Sequence, residues 1–217
     1  MKNKKVKIED LKYVKGIGKK TIKEIEKTLG ENNKKKTLEE VKFPKKKYEI
    51  IYADPPWKYD DKIKSHGGGA ESHYPCMNTL NICKLPVDKI SAKNSVLFMW
   101  VTFPQLEEGL KVMKEWGFEY KTNAFTWVKT NKDDSIFMGM GRYTRANAEI
   151  CLLGVKGKGL ERKDASIRNT QLARRLKHSQ KPHLFREKIE KLFGDRKRIE
   201  LFAREKSKGW DCWGNEI

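Results

Sequence analysis

The sequence predicts an α/β protein, a single sheet covered by helices on both faces, preceded by a small α-helical hairpin module. Three observations predict it. From residue 48 onward, strand-like and helix-like segments alternate. The first 30 residues instead place apolar side chains at helical spacing around a Gly-Ile-Gly turn. Between the two, residues 31–47 (ENNKKKTLEEVKFPKKK) are polar, weakly periodic and hold two Lys triplets. That composition marks a basic linker with one helical turn at Leu38–Val41, and it splits the chain into 1–30, 31–47 and 48–217.

In the first segment, Leu11, Val14, Ile17, Ile22 and Ile25 flank Lys15-Gly16-Ile17-Gly18-Lys19-Lys20, so two short helices joined by a tight turn follow from the spacing. The pattern resembles the helix-hairpin-helix module of DNA-binding proteins. Glycines at 16 and 18 would let the backbone approach a phosphate, with the amides of the second helix and Lys19 and Lys20 beside it. Lys15, Gly16, Gly18, Lys19 and Lys20 are the candidate nucleic-acid contacts. An ordinary helical turn that binds nothing is the other reading.

Beyond the linker, strands are expected at Tyr48–Ala53, Ser95–Val101, Phe118–Lys129, Ala148–Val155 and Arg198–Ala203. A helix from Pro104 to Trp116 opens on proline, stops at Gly117 and carries Leu106, Leu110 and Met113 on one stripe. A second, from Pro182 to Phe193, buries Phe185, Ile189, Leu192 and Phe193 and ends at Gly194. No internal repeat is visible.

Length and charge narrow the function classes. At 217 residues the chain makes one medium domain and a small appendage. The net charge is +19, and residues 1–47, with 17 Lys against 7 acidic residues, hold +10 of it. Nucleic acid is the partner such a balance suggests, because neutralising phosphates releases counterions; a composition that only aids solubility is the alternative. The longest apolar run, Val96–Val101, is six residues, against the ~20 a membrane-spanning helix needs. The N-terminus lacks the apolar core of a secretory signal. An intracellular protein, in cytoplasm or nucleoid or nucleus, is therefore expected, neither secreted nor membrane-bound. Cys76, Cys83, Cys151 and Cys212 form no CxxC pair and read as reduced thiols. His73, His178 and His183 are wrongly spaced for a metal cluster, so no metal is expected. His66 and Gly67–Gly69 read as a lid segment, without the Lys-Ser/Thr of a phosphate loop.

The residues richest in chemistry are Ile50-Ile51-Tyr52-Ala53-Asp54-Pro55-Pro56-Trp57. An apolar strand ends in a carboxylate, two prolines and an aromatic, at the place where open α/β sheets bind ligands. Asp-Pro-Pro-Trp arises by chance in a chain this long well under about one time in a thousand. The quartet resembles the [Asn/Asp/Ser]-Pro-Pro-aromatic hallmark of methyltransferases that act on exocyclic amino groups of bases. The residue types suit that chemistry. An adenine N6 lone pair is delocalised into the ring until acceptors draw on its hydrogens, and Asp54 and the Pro55 carbonyl can be those acceptors. Prolines contribute carbonyls without competing N–H groups, with Pro56 fixing the backbone, and Trp57 offers a ring to stack on an extruded base. Methylation makes the nitrogen acidic, so no general base of tuned pKa is needed.

The resemblance extends from Tyr48 to Ile217, to the MT-A70 family of S-adenosylmethionine-dependent N6-adenine methyltransferases. It is carried by Asp54–Trp57, His73–Met77, Leu97–Val101, Trp127–Thr130, Gly141–Glu149, His178–Pro182, Glu200–Arg204 and Gly209–Glu216, in one order. It implies a Rossmann-like methyltransferase sheet with the catalytic quartet before the donor-binding strand, a permuted arrangement. Tyr74 is implied in the loop that closes on the base, or as an anchor of that loop. Lys181 matches the lysine that meets the donor's carboxylate, with Pro182 starting a helix behind it. Glu200 and Phe202, read as alternating with Leu201 on one strand, would face the ribose and adenine of the donor together; Phe202 as core is the competing reading. Asp54 also faces the donor's cation, and Arg204, Asn215 and Glu216 complete its contacts. Glu216 departs from the Gly-Asn-Gln ending of eukaryotic members. Nine basic and two acidic residues between Lys156 and His183, Arg174 and Arg175 among them, with Arg142 and Arg145 upstream, suggest a second nucleic-acid surface or a basic loop without specific contacts.

Together these imply transfer of a methyl group from S-adenosylmethionine to adenine N6, in DNA ahead of RNA because of the hairpin module. The alternatives are an RNA N6-adenosine methyltransferase and a catalytically inactive nucleic-acid-binding partner subunit. Intact Asp54–Trp57 and Lys181 argue against the last. A homo- or hetero-dimer is left open.

Overall fold

The computed structural model describes residues 18, 20–24, 38, 41–58, 76–141, 143–176 and 180–217. The expected contacts Lys15, Gly16, Lys19 and Arg142, the loop residue Tyr74, and His66, His73 and His178 lie outside these residues.

Seven strands form one mixed sheet: β1 (Tyr48–Ala53), β2 (Ser91–Val101), β3 (Glu119–Thr130), β4 (Ala148–Lys156), β5 (Thr170–Arg174), β6 (Arg198–Leu201) and β7 (Asp211–Trp213). Their spatial order is β5-β3-β4-β2-β1-β6-β7. Pairing is parallel between β1 and β2, β1 and β6, β6 and β7, and β3 and β5, whereas β4 is antiparallel to both β2 and β3. So β4 alone runs against the rest.

Helices cover both faces, because β1 and β2 are apolar in both phases. Ile51, Ala53, Leu97, Met99 and Val101 face one core with Ile82 of α1 (Thr79–Cys83), Val87 and Ile90 of α2 (Val87–Ile90), and Val112 and Met113 of α3 (Leu106–Glu115). Ile50, Tyr52, Val96, Phe98 and Trp100 face a second core with Phe185, Ile189 and Phe193 of α4 (Leu184–Phe193). Such double coverage is what a strand with no polar phase requires. Among described residues no helix is long and apolar enough to cross a membrane.

The expected elements are present with shifted ends. A 3-10 turn at Phe103–Gln105 precedes α3, and α4 begins at Leu184 rather than Pro182. Both helices stop at glycines with positive φ, Gly117 at 80° and Gly194 at 74°. The strand β6 stops at Leu201, two residues before the expected Ala203, because Phe202 turns the chain with φ 62°.

Two expectations need correction. The described part of the linker packs on the domain: Leu38, Val41 and Phe43 lie against the first core, the Trp213 indole donates to the Val41 carbonyl at 3.2 Å, and Lys46 and Tyr48 both bond Asp211. Apolar residues spaced among lysines were enough to dock it. The stretch after Lys156 is not all loop, since β5 adds an edge strand to β3. In the N-terminal segment, residues 20–24 are helical and the Ile22 amide bonds the Gly18 carbonyl at 3.1 Å.

Candidate active site

The Asp54–Trp57 quartet emerges from the carboxyl end of β1, with parallel neighbours on either side, where strand ends leave a crevice. Its backbone is pinned to the chain after the undescribed loop. The Met77 amide donates to the Pro56 carbonyl at 2.8 Å, and the Lys58 amide donates to the Met77 carbonyl at 3.1 Å. The Pro55 carbonyl accepts from the Trp57 amide at 2.9 Å and keeps a second lone pair.

Trp57 is placed otherwise than as an open stacking surface. Its ring is 5% exposed within the first core, and its Nε1 donates to the Trp100 carbonyl at 3.0 Å. With the N–H satisfied and the ring packed, Trp57 braces the quartet against β2.

Lys181 reaches Asp54 from the loop before α4. Its Nζ donates to both carboxylate oxygens, at 2.8 and 2.7 Å, and lies 3.3 Å from Glu149 Oε2. The lysine side chain is 8% exposed and sits 5.6 Å from the Trp100 ring centroid. Glu149 in turn accepts from Lys129 at 2.5 Å. Burial is the largest influence on Asp54 and, with the charge of Glu149, holds its carboxyl above the ordinary range although Lys181 pulls it down. For Glu149 burial pushes upward, but Lys181 and Lys129 together outweigh it and leave the carboxyl lowered. The Lys181 ammonium, opposed by burial but flanked by two carboxylates, is held protonated.

Glu200, next to the end of β6, is gripped differently. Arg186 of α4 donates from Nη1 to Glu200 Oε2 at 2.7 Å and from Nη2 to Glu205 Oε1 at 2.7 Å, with the His183 ring against the same Nη2. Burial raises the Glu200 carboxyl and Arg186 offsets part of that rise. Phe202 does not share its side of the sheet. Beyond the strand end, its ring joins the first core and packs edge-on to Trp213 with centroids 5.5 Å apart. The positive φ at Phe202 breaks the alternation on which the expectation of a shared face rested.

The C-terminal residues come back to the same edge. A Cβ on Gly214 would meet the Ala203 carbonyl at 2.3 Å, so only glycine permits that approach. It brings Glu216 to within 3.8 Å of Arg204, and Arg204 is near enough to draw down the Asp54 carboxyl. Asn215, next in sequence to Gly214, is half-buried.

The proposed basic surface is engaged in local contacts. Arg174 forms a fork on Asp134 at 2.8 and 2.7 Å, the Arg175 guanidinium lies 3.6 Å from the Phe137 ring centroid, and Arg145 meets the Met140 sulfur at 3.4 Å. All three are exposed. Lys20 is exposed on the helical turn after Gly18. The four cysteines are free thiols, and no group of three or more potential metal ligands occurs among the described residues.

Sequence reasoning gave no role to Lys129, Glu149 or Arg186. A signal existed for the first two. Glu149 is in phase with Cys151, and Lys129 with Trp127, on strands whose alternate residues line a core. A charged residue in that phase asks for a buried partner.

An α/β sheet with an acid-Pro-Pro-aromatic turn at the end of an inner strand, the acid clamped by a lysine, defines an amino-group methyltransferase. The sequence pattern of the MT-A70 family matches residues 48–216. The chain is 38% identical over 205 residues to Type II methyltransferase M.MunI of Mycoplasma sp, covering 86% of this chain and 85% of that protein. It is 30% identical to the human N(6)-adenosine-methyltransferase catalytic subunit METTL3, covering 79% of this chain but 28% of METTL3. With human N(6)-adenine-specific methyltransferase METTL4 the identity is 28%, covering 80% of this chain and 38% of METTL4. The chain belongs to the MT-A70 family.

Proposed function

We propose that this protein transfers a methyl group from S-adenosylmethionine to the N6 amino group of adenine in DNA. The observation that carries the reading is the partly buried Asp54 carboxylate, held by Lys181 at the end of β1 and followed by two prolines. The sheet is proposed to be Rossmann-like, with donor-binding strand β6 following catalytic strand β1 in sequence.

S-adenosylmethionine supplies, when bound, an electrophilic methyl group on a sulfonium centre. The residues present fit such a group, because a carboxyl pushed above its ordinary range by burial and a neighbouring carboxylate favours a further cation beside it. Lys181 would hold the donor's carboxylate by turning over an N–H now given to Asp54. Glu200, Arg204, Asn215 and Glu216 would hold the nucleoside part, with Phe202 walling it from the core side.

Asp54 and the second lone pair of the Pro55 carbonyl accept from the substrate N6–H groups, drawing the nitrogen toward tetrahedral geometry and freeing its lone pair. Lys181 keeps Asp54 oriented and ionised. After transfer the nitrogen is cationic, and its proton passes to solvent without a tuned base. With Trp57 packed away, the base-stacking ring is proposed to be Tyr74.

Adenine N6 is supported by the similarity to METTL3 and METTL4, whose names state that position. DNA is supported by the Gly16–Lys20 segment, proposed as a phosphate grip together with Lys15, and by similarity along most of a type II methyltransferase. Arg142, Arg145, Arg174 and Arg175 are the second proposed surface, for which phosphates would compete with Asp134. The test is incubation with labelled donor and matched duplex DNA, single-stranded DNA and RNA, followed by nucleoside analysis. N6-methyladenine formed fastest in DNA is expected. Faster labelling of RNA overturns the substrate, and label elsewhere than on N6 overturns the reaction.

A further inference from the structure

Four charged side chains from four separate parts of the chain form one run of contacts at the carboxyl end of β1 and β3. Lys129 is the last residue but one of β3, Glu149 the second of β4, Lys181 comes from the loop before α4, and Asp54 follows β1. Their signs alternate, and each touches the next: 2.5 Å from Lys129 to Glu149, 3.3 Å from Glu149 to Lys181, and 2.7 Å from Lys181 to Asp54. Strand β2, which lies between β4 and β1, contributes Trp100, under whose span the lysine nitrogen passes. Only Lys181 and Asp54 are accounted for by methyl transfer as described above.

We propose that Glu149, itself held by Lys129, is a positioning residue for the reaction, acting through Lys181 rather than on the substrate. The inference rests on the methyl-transfer reading of Asp54. Lysine is a point charge on a flexible stem, and one carboxylate cannot fix it. Two carboxylates in contact with the same ammonium restrict it further. When Asp54 turns its oxygens toward an amine, Glu149 keeps the ammonium in place beside it. Lys129 makes this possible by compensating Glu149, whose side chain is 14% exposed. A sheet built for stability alone gains little from such a row, since well-packed apolar residues are as stabilising as buried ion pairs.

The row also gives Glu149 an electrostatic signature. Asp54 is faced by Lys181, by Glu149 and Cys151 of β4, by Tyr52 of β1, by Glu200 of β6 and by Arg204 beyond it. Glu149 is faced by Lys181 and Lys129. Removing the Glu149 charge removes a repulsion on Asp54 and a competitor for Lys181, so both changes stabilise the Asp54 anion. The acid limb of kcat/KM then moves to lower pH. Removing Lys181 moves it to higher pH.

The test compares the full chain with Glu149→Gln, Lys181→Met and the double variant, reading kcat, the acid limb, and the Asp54 carboxyl titration by carbon NMR without substrate. Glu149→Gln is expected to lower kcat about 10- to 100-fold, as small misplacements at a reacting centre do. It should shift the Asp54 midpoint downward, and the double variant should be no slower than Lys181→Met. Losses that multiply in the double variant overturn the proposal, because Glu149 would then act independently of Lys181. So does a near-wild-type Glu149→Gln or an unmoved midpoint. Glu149→Asp keeps the charge but withdraws the contact, and serves if the glutamine variant does not fold. It should lose kcat with the acid limb in place, and unchanged kcat overturns the proposal. If the wild-type protein transfers no methyl to any nucleic acid, the functional reading fails, and the NMR midpoint alone decides the row.

Discussion

Two carboxylates, Asp54 partly buried and Glu200 buried, sit near the carboxyl ends of the adjacent parallel strands β1 and β6, and they are held by different cations. Asp54 is held by Lys181, whose ammonium is shared with Glu149. Glu200 is held by the guanidinium of Arg186, which also grips Glu205. Burial raises both carboxyls, and in both a cation opposes the rise. The cations nevertheless differ in what they permit. An ammonium has three rotatable hydrogens and yields one contact for another. A guanidinium is a planar fork that fixes direction. A group that must exchange partners during a reaction suits the first, and a group that must hold a ligand in one pose suits the second.

Several substitutions bear on that contrast. Lys181→Met carries the largest expected effect. It leaves Asp54 buried without its main cation, so the carboxyl rises further, methyl transfer falls by about 100-fold or more, and the remaining activity is lost from a higher pH downward. A pH–rate profile checks the sign, and an acid limb at lower pH would break the account of Asp54. Urea denaturation of the same variant should show a loss of about 3–5 kcal/mol, as for other broken buried pairs.

Exchanging the cation types gives a smaller and sharper comparison. Lys181→Arg should lower kcat more than donor affinity, since a fork on Asp54 resists the exchange of partners. Arg186→Lys should do the reverse, because Glu200 loses its fixed direction. Equal effects of the two swaps on kcat and on donor affinity would remove the distinction. The mildest expected change is Glu200→Ala, which would delete the hydrogen bond proposed between Glu200 and the donor, worth about 1.5–3 kcal/mol. Calorimetry with S-adenosylmethionine should therefore show roughly 10- to 150-fold weaker binding, and unchanged affinity would place the donor elsewhere.

The contrast was half legible in the sequence. Asp54 stands in a four-residue pattern, and Lys181 stands before Pro182, so both announce themselves locally. Their contact joins positions 127 residues apart and depends on the strand order. Arg186 looks like any helical cation until α4 is seen to lie over β6. Glu149 and Lys129 become partners only through the antiparallel register that sets Trp127 opposite Glu149. The same holds for the elements. β1 and α4 follow from apolar periodicity, whereas β5, with alternate residues exposed at the sheet edge, carries polar and charged residues that read as loop. β7 is three residues long and forms only because β6 offers it an edge. Phe202 shows the limit of pattern reasoning most plainly, since one residue with positive φ reverses the face that alternation assigns.

The central claim is that the Asp54 carboxylate accepts from the amine that is methylated. Single-turnover methyl transfer to adenine-containing duplex DNA by Asp54→Ala, with the variant saturated in donor and its fold checked by thermal melting, tests it most directly. The account predicts a rate at least about 100-fold below wild type, the usual cost of one lost transition-state acceptor. A rate near wild type with donor bound would contradict it.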